Sequence, residues 1–99
     1  MSSGISKTLS QNIEITSNVE SSIDITLGNT FTINEKPFTV LENGIDVTAE
    51  ANTSYVIYDG DGKEVTEINT AEAGTYTVVY TVSYDGKQEE AETIVNVLG

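Results

Sequence analysis

The chain has 99 residues, of which 16 are acidic and four basic, for a formal net charge of −12, and it contains no Cys, His or Trp. Without thiols or imidazoles there can be no disulfide staple, no Cys- or His-ligated zinc, no His-based catalytic triad and no histidine pH switch. So acidic a chain is repelled by nucleic-acid phosphates and by anionic lipid, and no apolar run approaches the ~20 residues of a membrane span, so neither nucleic acid nor membrane insertion is expected.

Residues 1–22 differ in composition from the rest. They are rich in Ser, Thr, Asn and Gln, contain no aromatic residue, and carry only Lys7, Glu14 and Glu20 as charges. Their sparse apolar positions are Ile5, Leu9, Ile13, Ile15 and Val19. Such a stretch reads either as a frayed terminus or as an arm that docks on a partner protein by adding a strand to an exposed edge. The boundary is set at residue 22, with residues 23–99 as the folded domain. Ile13-Glu14-Ile15-Thr16 could form one short strand, and a near-copy follows at Ile23-Asp24-Ile25-Thr26. The start, Met1 to Gln11, has no apolar core of a secretory signal. The chain is therefore expected either to leave its cell by another route, as virion proteins do, or to be a piece of a longer secreted protein.

Strands are predicted in order from the period-two alternation of apolar residues. Ile23 to Leu27 is the first, and Gly28-Asn29 turns the chain. Thr30 to Ile33 is the second, with Phe31 and Ile33 on one face; Pro37 ends that region because it lacks the N–H of a central strand. Phe38 and Val40 restart an extended segment up to Glu42-Asn43-Gly44. Ile45, Val47 and Ala49 alternate with Asp46, Thr48 and Glu50 and predict a half-buried strand. Ser54 to Tyr58 follows, then the Asp59-Gly60-Asp61-Gly62 turn with a return at Lys63 to Val65, and a further short strand at Glu67 to Thr70. The strongest signal is last. Tyr76, Val78, Tyr80, Val82 and Tyr84 alternate with a mostly hydroxyl-bearing set, and Asp85-Gly86 supplies the two positive-φ positions of a type I′ turn. Pairing across it sets Tyr84 against Lys87, Val82 against Glu89, Tyr80 against Ala91, Val78 against Thr93 and Tyr76 against Val95. No segment has a sustained helical period, so the fold class is an all-β sandwich or small barrel.

Glu72-x-Gly74-x-Tyr76-x-Val78 resembles the acid-x-Gly-x-Tyr-x-Cys signature of immunoglobulin domains, with Val78 at the Cys position. The chain resembles more closely the bacterial immunoglobulin-like (Big-type) repeats of surface proteins and phage structural proteins. The residues that carry this are Gly44-Ile45-Asp46-Val47-Thr48-Ala49, Asp61-Gly62, Ala73-Gly74-Thr75-Tyr76-Thr77-Val78-Val79-Tyr80-Thr81-Val82 and Thr93-Ile94-Val95-Asn96-Val97. The resemblance covers about residues 23–98 and implies an immunoglobulin-like β-sandwich of about seven strands, with Tyr76 as a tyrosine corner. It implies little about activity, because sandwiches host many functions.

The residue inventory leaves few catalytic options, and no enzyme activity or cofactor is expected. Asp59, Asp61 and Glu64 are oxygen donors that could hold calcium, but the segment lacks the longer register of an EF-hand loop and reads equally as a hairpin turn. Lys36 and Asn96 are nominal partners for a self-made isopeptide bond. Tyr84 and either Tyr55 or Tyr58 could surface as a platform for a glycan. The expected function is a non-catalytic structural or binding module. The first version is a phage virion accessory, a capsid decoration or fibre-type domain on the particle surface. It would be held to capsid, tail or its own copies by residues 1–22, so that removing residues 1–21 leaves the sandwich folded. The alternative is an immunoglobulin-like repeat of a bacterial cell-surface adhesin that binds host glycan or protein.

Overall fold

The computed structural model describes residues 12–99. They form an all-β molecule of two sheets around one shared core. The strands are β1 (Ile13–Ser17), β2 (Ser22–Thr26), β3 (Phe38–Glu42), β4 (Ile45–Asp46), β5 (Asn52–Tyr58), β6 (Glu64–Val65), β7 (Gly74–Tyr84) and β8 (Lys87–Leu98), with a single 3-10 turn at Thr48–Glu50. One sheet has the order β1-β3-β4 and the other β2-β8-β7-β5-β6. Every pairing is antiparallel except that of β2 with β8.

The β7–β8 hairpin is the spine. Its register is the predicted one, from Tyr84 opposite Lys87 to Tyr76 opposite Val95. Asp85 and Gly86 have φ of 48° and 84°, the two left-handed positions that a type I′ turn requires. The inward phase is buried, with Val78, Val82 and Val95 fully enclosed and Tyr80 nearly so. Each buried side chain of this size contributes roughly 1.5–3 kcal/mol. Phe38 and Val40 of the other sheet complete the core, together with Ile25, Val47 and Ile57.

The near-copies at Ile13 and Ile23 take edge positions in opposite sheets. β1 pairs with β3 along its whole length, Ile15 opposite Val40. β2 lies along β8, Ile25 opposite Val97. Asn18 holds the crossover between them: its backbone N–H donates to the Pro37 carbonyl (2.7 Å) and its amide to Thr39 Oγ1 (2.9 Å). The expected boundary at residue 22 therefore has strands of the same molecule on both sides of it. Ile13, Ile15 and Val19 are half-buried against the core. Ile5 and Leu9 lie outside the described residues.

Three predicted strands differ. Thr30 to Ile33 is not a strand but an irregular strap over the sheet, with Phe31 and Ile33 still half-buried. The side chains of that stretch find the core, but no neighbouring strand takes up its backbone. Its ends are fixed elsewhere: Gly28 N–H donates to the Thr70 carbonyl (2.8 Å) and Asn34 N–H to the Tyr80 hydroxyl (3.1 Å). The strand expected from Ile45 to Ala49 stops after Asp46. Asp46 Oδ1 accepts the Thr48 N–H (2.9 Å), and Thr48 Oγ1 accepts the Val40 N–H (2.9 Å), which turns the chain out of the ladder. Val47 stays in the core, whereas Ile45 is 67% exposed. Glu67 to Thr70 is likewise irregular.

Candidate functional site

The Asp59–Glu64 segment is a tight hairpin between β5 and β6. Asp59 Oδ1 accepts the N–H groups of Asp61 (2.9 Å) and Lys63 (3.0 Å), and Gly62 has a φ of 81°. One Asp59 oxygen is thus spent on the turn itself, and no cluster of three or more candidate metal ligands occurs among the described residues. Lys36 and Asn96 have different hydrogen-bond partners. The Asn96 amide donates to Asp24 Oδ1 (3.1 Å), while the Lys36 backbone is held by Asn34 Oδ1 (2.9 Å). Of the Glu72-Gly74-Tyr76-Val78 signature, Glu72 and Gly74 are exposed, Tyr76 is half-buried and Val78 fully buried. The Tyr76 hydroxyl accepts the Asn69 N–H (3.3 Å), tying β7 to the connection that precedes it.

The tyrosines divide by environment. Tyr84, beside the turn, is half-buried and donates its hydroxyl hydrogen to Glu42 Oε1 (2.7 Å), which links the two sheets. That bond to a carboxylate, with desolvation and the nearby charges of Glu42, Glu50 and Asp85, pushes its pKa up from 10.0 to about 12. The neutral phenol is the form the fold favours. The contribution is therefore fully present below pH 10 and is lost as pH rises through about 12. An absorbance titration of tyrosinate should show a late ionisation that disappears in Tyr84→Phe and moves earlier in Glu42→Gln. Wild-type titration identical to that of Tyr84→Phe would refute the Tyr84–Glu42 bond. In the sheet of Glu42, Asp46 is held below the usual carboxylate range, first by its hydrogen bonds with Thr48.

Tyr58 is half-buried on the outward phase of β5, while Tyr55 is the tyrosine that opens a site. It shares the inward phase with Ile57, and lies opposite Tyr80 in β7. Inward residues of a two-sheet molecule are normally covered, yet Tyr55 is 47% exposed. What faces it is the irregular strap and not a strand of the second sheet. Three clefts of about 460, 260 and 310 Å³ flank the strap and share lining residues: Glu35, Pro37 and Thr53 join the first to the second, Ile33 and Tyr55 the second to the third. Together they make a trough along β5. β6 pairs only with Ile57 and Tyr58, so among the described residues Asn52–Val56 has β7 on one side and no strand on the other. Of the trough, sequence reasoning pointed only to Tyr55 as one alternative. Ile33, Asn34, Glu35, Thr53 and Thr66 come from three separate stretches, and no local pattern links them.

No family model matches the chain, and no curated protein matches it by sequence. Among solved structures, a lipoprotein from Bacteroides thetaiotaomicron is similar, with a TM-score of 0.53 and 17% identity over 86% of this chain. The chain spans 37% of that lipoprotein's length. At this identity the likeness concerns the fold alone. The class it defines, with the geometry above, is an all-β domain of two packed sheets.

Proposed function

We propose that the chain is a non-catalytic, immunoglobulin-like module exposed on a bacterial surface, where it displays or binds rather than transforms. The observation that carries this is the arrangement of its strands. The N-terminal run divides between the sheets, β1 against β3 and β2 parallel to the last strand, and the Tyr76 hydroxyl returns to the backbone of Asn69 as a tyrosine corner does. A similar fold occurs within a bacterial lipoprotein, so the fold is one that an envelope protein can carry. Sixteen acids against four lysines favour a dispersed, soluble surface. A second reading keeps the fold and changes the carrier to a phage particle, with residues 1–22 as the attachment. The near-neutral composition of that stretch beside an acidic domain favours it.

Antibody raised against the folded domain tests both on one culture of the source bacterium. Labelling of intact cells is the expected result. Labelling confined to phage particles would transfer the module to the virion. Antigen found only after lysis, in the cytosol, would sink both readings.

A further inference from the structure

We propose that the trough beside Tyr55 is a binding site for a neutral, linear polysaccharide. The proposal rests on the reading of the chain as a surface module and names its ligand.

A sugar chain asks three things of a protein surface: a flat aromatic face for the C–H side of a pyranose, hydroxyl and amide partners around that face, and a channel open at both ends. Tyr55 supplies the first. Its ring leans on Tyr80, with centroids 6.4 Å apart and planes at 51°. Tyr80 is itself buried and pinned through its hydroxyl by the Asn34 N–H. The exposed ring is therefore backed by a fixed neighbour, and little side-chain freedom remains to be lost on binding. Hydrogen-bonding partners come from the lining, where Thr53, Ser54, Asn34 and Glu35 stand on one side of the ring and Thr66 and Glu67 on the other. The unpaired edge of Asn52–Val56 adds backbone donors and acceptors. The clefts run past Tyr55 in both directions, which suits several linked sugar units better than one.

Charge selects among glycans. Glu35, Asp46 and Glu67 line the trough against the single lysine Lys36, and the chain as a whole is at −12. Sulfated, phosphorylated or uronate-rich chains are repelled. An added peptide strand could use the same edge, but the clefts beside it interleave the Thr53 and Thr66 hydroxyls and the Glu35 and Glu67 carboxylates with apolar side chains, a mix that suits the hydroxyl and C–H faces of sugars better than a row of apolar peptide side chains.

The test is affinity electrophoresis of the full chain in native gels containing laminarin, linear mannan, dextran or glucomannan, with alginate as the charged control. Slowing in at least one neutral gel and none in alginate is expected. Tyr55→Ala should weaken that retardation about tenfold or more, as truncation of a central aromatic contact does. Tyr58→Ala, on the outward phase, should keep it. Melting curves of both variants separate loss of fold from loss of ligand. Unchanged mobility in every neutral gel overturns the proposal, and so does equal retardation of Tyr55→Ala. A concentration-dependent dimer that Tyr55→Ala abolishes would assign the trough to a second copy and overturn it too. Antibody labelling reads location whatever the trough binds, so failure here leaves the surface reading standing.

Discussion

Replacement of Phe38 by alanine is expected to destabilise the protein by about 3–5 kcal/mol, the range for truncating a fully buried aromatic. Phe38 is 2% exposed and is the largest of the fully enclosed side chains. It sits at the start of β3, in the cluster that joins the two sheets. A domain of this size has roughly 5–15 kcal/mol in all, so this one change removes about a fifth or more of it. The urea midpoint should fall sharply with little change in slope. Ile45→Ala is the companion measurement. Alternation along the sequence puts Ile45 in the same core, but at 67% exposure its truncation should stay within about 0.5 kcal/mol of wild type. Equal losses for the two variants would contradict the observed end of β4 at Asp46.

Removal of residues 1–21 is expected to lower stability by about 2–4 kcal/mol and to make the product prone to associate. The deletion takes away β1, and with it Ile13 and Ile15, each half-buried against the core; two half-buried isoleucines account for roughly 2–3 kcal/mol. It also removes the Asn18 contacts with Pro37 and Thr39 and the Asn43–Asn12 backbone bond. Five residues of β3 would then present an unpaired edge beside the buried Phe38 and Val40, which is a template for pairing with another chain. Thermal melting and light scattering of the truncated chain check both effects. A monomer that melts like the full chain would mean that β1 contributes nothing, and would bear out the expectation of a sandwich that folds without its first 21 residues.

These two outcomes separate what local pattern reveals from what it hides. The β7–β8 hairpin was legible to the residue. Tyr76, Val78, Tyr80, Val82 and Tyr84 recur at every second position, and Asp85-Gly86 allows only a two-residue turn, so register follows from the turn. The Asp59 to Gly62 connection was equally plain as a turn, and the structure adds the reason its carboxylate is occupied. Short apolar stretches were less informative. Ile45-Asp46-Val47 and Phe31-Thr32-Ile33 have strand-like alternation, but a strand also needs a partner for its backbone. Thr48 ends the first by bonding Asp46 and Val40, and the second has no neighbour. The polar composition of residues 1–22 reads as a frayed terminus or an arm because its apolar residues, Ile13 and Ile15 among them, are few among hydroxyls and amides. An edge strand needs only one apolar face, and two isoleucines suffice for it.

By itself, then, the amino-acid sequence determined an all-β chain, the long C-terminal hairpin with its register, the turns at Asp61-Gly62 and Asp85-Gly86, and the exclusion of thiol and imidazole chemistry. These depend on neighbours in the chain or on residues that are absent. The tertiary structure alone decided that the two isoleucine repeats enter opposite sheets and that the strap replaces a strand over β5. It also decided that Tyr55, inward by phase, stands open beside an unpaired edge. Each of these depends on which distant backbone is available to pair, and that is set by the packing of both sheets together.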